Sequence, residues 1–292
     1  MNKCKLCNGN NVSLKYTGKI RNGSFGKSTS YDENVYKCHD CSILFLSNTT
    51  YINEFYESEE YRNSYNSTYD KKSFIAQVAG DNEQRLYKIG VINLVDKSVV
   101  DIGVGAGVFL DLISSFSKDT IAIEPAKFYH DELSKLHKVY SYTSDAINDG
   151  VNGDVVMSFN VIEHVENPLE FLQDKFDILN DGGTMYMVTP NHDDILMRTI
   201  PEEFSPFYYR TAHLYYFDKK SISYLLDKAG FKNYKVEYMH TMDMSNMMIW
   251  LKENKPSGLN KLHLFDDSFN DIYKNYLESK GMANYLWIEA RK

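Results

Sequence analysis

The chain has 292 residues, is 43% hydrophobic and 25% charged, and carries a formal net charge of −8 at pH 7. Those proportions belong to a globular protein with room for one large domain and a small module, and they exclude a disordered or collagen-like chain. The negative balance argues against broad binding to a nucleic-acid phosphate backbone, and no apolar run reaches the roughly 18 residues that a bilayer span needs.

The first signal along the chain is a pair of cysteine knuckles. All four cysteines lie in the first 41 residues, as Cys4-x2-Cys7 and Cys38-x2-Cys41. Each knuckle presents two thiolates from one tight turn, and four thiolates close a tetrahedral zinc site with no open position. Residues 1–50 therefore read as a small ribbon around a structural Zn2+, with redox or incidental cysteines as the alternative. His39, inside the second knuckle, is expected to be a bystander. The start Met1-Asn2-Lys3-Cys4 lacks the apolar core of a signal peptide. The expected compartment is thus the cytoplasm, where thiols favour metal over disulfides. Lys3, Lys5, Lys15, Lys19, Arg21, Lys27 and Lys37 make the ribbon locally basic. An acidic stretch, Glu54 to Glu60, follows at once, and no arginine-rich or stacking aromatic stripe accompanies it.

Residues 51–94 read as a helical cap. Tyr51, Phe55, Tyr56, Tyr61, Tyr65 and Tyr69 form an aromatic series whose helical spacing points to burial. Gln84-Arg85-Leu86 is expected to open the helix leading to the next strand, with Arg85 in a surface ion pair.

From Ser98 the pattern changes to a β-branched strand, a glycine-rich turn and an amphipathic helix. Gly103, Gly105 and Gly107 allow a sharp turn and close approach of a ligand, and the turn aims helix amides at it. Thr120 to Pro125 reads as a second strand ending in the carboxylate of Glu124. An acid about 20 residues beyond a glycine turn is where α/β nucleotide folds grip ribose hydroxyls. The dinucleotide fingerprint is not met, because its third glycine position is Val108. The pattern is instead D-x-G-x-G-x-G, beginning at Asp101. Further strands are expected near 138–141, 154–159 and 184–188, alternating with helices as in a doubly wound parallel α/β sheet. Residues 241–281, rich in methionine and aromatics, read as an insertion: a lid, a homodimer surface or a plain packing helix.

The ordered set Asp101 to Gly107, Glu124-Pro125, Ser144-Asp145-Ala146, Asp154 to Pro168, Leu179 to Pro190 and Ala212 to Phe217 resembles the class I S-adenosylmethionine-dependent methyltransferases. The resemblance covers roughly residues 84–240. It implies a Rossmann-like methyltransferase sheet with an antiparallel last strand at 284–291, and a division into a ribbon (1–50), a cap (51–94) and a catalytic domain (95–292). It also implies S-adenosylmethionine as cofactor, held by Asp101, Gly103, Gly105, Gly107, Glu124 and Pro125, with Asp145 and Ala146 at the adenine and Asn160 and Glu163 nearby. A zinc ribbon joined to this type of domain resembles enzymes that methylate sugars, nucleotide sugars or surface-glycan precursors, in which the ribbon braces the catalytic domain.

A hydroxyl acceptor must lose its proton during attack, most often to His, Asp or Glu. His164, just after the fourth strand, is the leading base, His213 the second and His192 the third. Asp193 and Asp194 beside His192 could raise its pKa or, with it, hold a divalent metal. Glu163 is expected to point away from His164 if the segment is helical. The expected partner is a small-molecule or saccharide acceptor, with no membrane and nucleic acid disfavoured. Two other functions compete: an RNA methyltransferase reading through its ribbon, and a nonenzymatic scaffold. The Asn/Asp-Pro-Pro-Tyr/Phe motif of many amino-group enzymes is absent, its place taken by Phe159-Asn160-Val161-Ile162.

Overall fold

The computed structural model describes residues 3–47, 71–258 and 260–292. The aromatic series from Tyr51 to Tyr69 lies outside the described residues. In chain order the strands are β1 (Val12–Gly18), β2 (Glu33–Cys38), β3 (Leu44–Leu46), β4 (Ser98–Ile102), β5 (Asp119–Ile123), β6 (Lys138–Tyr140), β7 (Gly153–Phe159), β8 (Leu179–Pro190), β9 (Tyr215–Tyr216), β10 (Asn233–Met239) and β11 (Tyr285–Arg291). Contacts divide the chain into two compact units.

The first unit comprises Met1–Asn48, Thr189–Ile222 and Val236–Trp287. Its sheet has the order β1-β2-β3-β9, with Leu44 opposite Tyr216 and Phe45 opposite Tyr215. The first 50 residues thus do not make a closed module by themselves, and the fourth strand comes from far along the chain. The reason is burial: β3 is a three-residue apolar strand, fully buried, whose outer edge would otherwise stay unpaired. Ile20, Val35, Leu44 and Leu46 join Phe204, Tyr208, Tyr209, Tyr216 and Trp250 in one apolar cluster. Trp250 packs on Phe204 and Phe207, each with ring centroids 5.0 Å away. The segment read as an insertion at 241–281 forms two helices, Met244–Glu253 and Asp267–Ser279. Asp243 and Asp266 cap them by accepting backbone amides of Asn246 and Phe269, as short carboxylates do at helix starts.

The second unit comprises Thr49–Val188, Ser223–Lys235 and Ile288–Lys292. A seven-stranded sheet, of which β4 to β7 lie wholly in this unit, has the order β10-β11-β8-β7-β4-β5-β6. Strands β4 to β8 pair in parallel, and the bond from Lys292 N to Gly183 O sets β11 antiparallel to β8. Val99-Val100, Ala122 and Val155-Val156 are buried, as near-continuous apolar runs must be when helices cover both faces of a parallel sheet. The Rossmann-like methyltransferase sheet with antiparallel last strands is therefore present. The chain winds from β4 outward to β5 and β6, then returns to the other side of β4 at β7. That reversal makes the β4/β7 carboxyl ends the switch point where open α/β sheets bind ligands.

Three local expectations change. Gln84 to Leu86 lie inside the helix Lys71–Ile89, not at its start. β8 begins at Leu179, ahead of the strand expected near 184–188, because Leu179 already pairs with Gly153 ahead of a register shift. Residues Val161 to His164 form a turn after β7, closed by His164 N donating to Val161 O at 2.9 Å.

Candidate functional site

At the carboxyl end of β4, Gly103, Gly105 and Gly107 have φ of 78°, 56° and 77°, a left-handed backbone that side chains other than glycine rarely adopt. A Cβ on Gly103 would meet Val161 Cγ2 at 2.4 Å, so the turn lies directly against the segment after β7. Gly107 leads into the helix Val108–Ser114.

Glu124, 7% exposed at the end of β5, holds this turn. Its Oε2 accepts the amide of Gly105 at 2.7 Å and its Oε1 that of Ala126 at 3.0 Å. A carboxylate that accepts two backbone amides fixes the geometry of the turn between them. Pro125 is half-buried between these two contacts. Asp145 accepts the amide of Tyr142 at 3.2 Å, which fixes the start of the helix Thr143–Asn148, with Ala146 fully buried in it. At the end of β7 Asn160 has φ of 58°, and its Oδ1 is buried without a hydrogen-bond partner among the described residues. An orphaned acceptor beside a glycine turn fits a donor group of a bound cofactor.

Beneath the turn lies a set of buried charges. Burial pushes the Asp101 carboxyl up to about 7; Arg85 and Lys175 pull it down and Glu124 adds to the rise. Burial drives the Lys175 ammonium well below its ordinary pKa, with Asp174 and Asp101 opposing. Arg85 is half-buried and lies near Asp81 and Asp101, whose carboxyls it pulls down. Its guanidinium lies 4.6 Å from the Phe159 ring centroid and donates to Asn82 Oδ1 at 2.9 Å, because its place inside the helix turns it inward.

His164 Nε2 lies 3.9 Å from Glu163 Oε1. Glu163 would point away only on a helix; in the observed turn the two side chains approach. His213 and His192 belong to the first unit. His213 is 4% exposed, and its ring centroid lies 5.9 Å from that of Tyr216. His192 sits between carboxylates, Nδ1 at 3.4 Å from Asp193 and Nε2 at 3.5 Å from Asp218. Burial disfavours its imidazolium, but the two acids outweigh burial and raise its pKa. Asp218 also accepts Ser42 Oγ and the amide of Ser221. Ser42 and Asp218 were invisible as partners in the sequence, because 176 residues separate them.

The four cysteines converge. Cys4 and Cys41 sulfurs lie 3.6 Å apart, as do those of Cys7 and Cys38, and all four lie within 4.8 Å of one another. A tetrahedral site with Zn–S near 2.3 Å needs sulfurs about 3.8 Å apart, so the cluster fits a metal ion. Both knuckles end in a left-handed residue directly after the second cysteine, Asn8 at φ 59° and Ser42 at φ 72°. Hydrogen bonding from Cys41 lowers the Cys4 thiol to about 5, while the same contact pushes Cys41 far up. One thiolate forms readily and a second needs a cation. His39 bonds Ser13 Oγ at 2.8 Å and stays outside the cluster.

A surface depression of about 620 Å³ in the second unit involves Ser98, Lys118, Asp119 and Thr120. These mark the amino ends of β4 and β5, opposite to the glycine turn, so it is not the nucleotide site. Among the described residues no helix is long and apolar enough to cross a membrane.

A family described as methyltransferase domain matches residues 72–236, more than half of the chain. This chain belongs to the class I S-adenosylmethionine-dependent methyltransferase family. Among curated relatives, this methyltransferase is 27% identical over 125 residues to the mitochondrial ubiquinone biosynthesis O-methyltransferase of Candida albicans, covering 39% of this chain and 38% of that protein. It is 27% identical over 122 residues to the ubiquinone biosynthesis O-methyltransferase of Ruegeria pomeroyi, covering 35% of this chain and 49% of that one. The chain thus spans less than half the length of these relatives. Among solved structures, a SAM-dependent methyltransferase of Thermotoga maritima, described as a possible histamine N-methyltransferase, has a TM-score of 0.53 at 19% identity, covering 82% of this chain and 99% of that one. One from Archaeoglobus fulgidus has a TM-score of 0.50 at 15% identity, covering 75% and 99%. These likenesses establish the methyltransferase fold.

Proposed function

We propose that this chain binds S-adenosylmethionine at the glycine turn after β4 and transfers its methyl group to a hydroxyl of a small-molecule acceptor, a sugar or nucleotide sugar. The observation that carries the cofactor reading is Glu124: a carboxylate at the end of β5 that locks the left-handed glycine turn after β4 through Gly105 and Ala126. Asp101, Pro125, Asp145, Ala146 and Asn160 complete the proposed cofactor set. When bound, S-adenosylmethionine supplies a methyl group already activated by its sulfonium charge. The protein's work is then alignment and proton removal.

We assign proton removal to His164. His164 takes the acceptor's hydroxyl proton, and the Glu163 carboxylate, 3.9 Å from its Nε2, stabilises the resulting imidazolium by charge. His192, with a carboxylate at each nitrogen, suits a persistent ion pair better than a base. The hydroxyl reading is supported by the O-methyltransferases among the relatives. The saccharide reading is supported by the resemblance of the ribbon-plus-methyltransferase arrangement. The Cys4, Cys7, Cys38, Cys41 cluster holds a structural Zn2+ whose saturated thiolate shell takes no part in the chemistry, and four reduced thiols suit the cytoplasm.

Titration calorimetry with S-adenosylmethionine and S-adenosylhomocysteine tests the reading. Micromolar binding, weakened at least tenfold (about 1.4 kcal/mol) by Glu124→Ala, supports it and justifies screening nucleotide sugars with labelled methyl donor. No binding of either compound overturns it.

A further inference from the structure

The first unit contains a group of polar side chains, Asp194, Tyr208 and His240 buried and Tyr273 half-buried, that neither the cysteine cluster nor the glycine turn uses. Asp194, 5% exposed, accepts the amide of Leu196 with Oδ1 at 2.7 Å. The backbone around it is pinned: Asn191 N donates to Asn284 O at 2.9 Å and Ile195 N to Met282 O at 3.0 Å. Asn284 N in turn donates to His240 Nδ1 at 3.2 Å. The His240 ring meets Tyr273 edge-on, with centroids 5.4 Å apart. Tyr208 lies in the same apolar cluster as Leu196. After burial, the Asp194 charge is the next largest influence on both phenols, raising Tyr208 well above its ordinary pKa and Tyr273 too.

Two of these groups are unsatisfied. His240 Nδ1 accepts a hydrogen bond, so in the neutral ring Nε2 carries the hydrogen. That Nε2 is buried with no partner among the described residues, and so is Tyr208 Oη. Burial, then Lys274, pushes the His240 pKa down to about 3, which keeps the ring neutral at physiological pH. Buried donors in native proteins nearly always find partners. Here the available chemistry is a neutral N–H donor, a phenol that donates or accepts, and a carboxyl. A neutral ligand carrying several hydroxyls complements all three, because each hydroxyl both donates and accepts. An anionic group seated here would meet Asp194 and a cationic one the His240 N–H, so the moiety that these residues take is the neutral polyhydroxyl part of a ligand, whatever charge the rest of it carries.

We propose that Asp194, Tyr208, Tyr273 and His240 form a recognition site for the hydroxyl groups of a saccharide. This deepens the proposed function and rests on its saccharide reading for the ligand class.

The probes are UDP-glucose, UDP-N-acetylglucosamine, GDP-mannose and dTDP-glucose, titrated into the full chain by calorimetry. Trp250 fluorescence is a second readout, since Trp250 packs on Phe204, which packs on Tyr208. Expected is saturable binding of at least one probe, weakened tenfold or more by Tyr208→Phe and by His240→Phe, with S-adenosylmethionine affinity within twofold of wild type. The melting temperature of Tyr208→Phe should hold or rise, because the removed hydroxyl has no partner to lose. Binding of S-adenosylmethionine with no binding of any probe overturns the site and leaves the cofactor reading standing. Probe binding that ignores both substitutions also overturns it, as does a marked fall in the melting temperature of Tyr208→Phe. If the phenylalanine variants fail to fold, Asp194→Asn, which keeps the helix-capping oxygen, takes their place, and unchanged probe affinity overturns the proposal. Failure of wild type to bind S-adenosylmethionine counts against the function, and the probe titration is scored separately.

Discussion

Glu124 Oε2 accepts the Gly105 amide at 2.7 Å, joining the end of one strand to the glycine turn of its neighbour. The same carboxylate is thus a structural clamp and the proposed ribose acceptor, and its substitution should show both roles. Glu124→Ala leaves two amides without their acceptor and should cost about 1–3 kcal/mol of stability as well as the tenfold loss of S-adenosylmethionine affinity. Denaturant unfolding alongside calorimetry checks this; intact stability with lost affinity would show that the clamp is dispensable.

Gly103→Ala should abolish cofactor binding. The new Cβ meets Val161 at 2.4 Å in a left-handed backbone, so the turn must move. Calorimetry and a thermal melt check this, and wild-type affinity would refute the tight packing of the turn against Val161.

His164→Gln should lower the methyl-transfer rate by roughly 10²–10⁴-fold, the usual worth of a general base, with little change in cofactor affinity. Single-turnover transfer to an identified acceptor measures it. An equal loss in His192→Gln and none in His164→Gln would reverse the assignment.

The His192–Asp218 pair predicts a pH window. His192 has a raised pKa in the folded state, so its contribution is complete below the unfolded value near 6.5 and is lost as pH rises through the folded one. Asp218 is lowered to about 2: burial works against that shift, and the His192 and Ser42 contacts produce it. Its contribution is present above the unfolded value and lost as pH falls toward 2. Melting curves from pH 4 to 9 should show His192→Gln flattening the alkaline side; a parallel shift at all pH values would remove the ion-pair account.

Loss of metal should destabilise the protein. Cys38→Ser should lose the proposed zinc, measured as metal per chain, and lower the melting temperature by roughly 6–12 °C if about 3 kcal/mol is lost. An unchanged melting temperature on full chelation would deny the cluster its structural role.

The sequence by itself determined the elements whose chemistry is local. The Asp101-to-Gly107 turn needs its glycines because their own backbone angles are left-handed, and β4, β5 and β7 each carry a buried apolar run because both sheet faces are covered. The two knuckles carry their thiols on their own turns, so spacing alone revealed them. What only the tertiary structure decided depends on contacts between distant residues. Ser42 reaches Asp218, and β3 takes β9 as its neighbour, because an apolar edge strand must be covered by whichever strand the folded chain brings to it. The approach of Glu163 to His164 hung on whether four residues formed a helix or a turn, and the turn is the one closed by His164 N on Val161 O. The unpaired His240 and Tyr208 left no mark in the sequence, since a missing hydrogen bond exists only once burial has removed water.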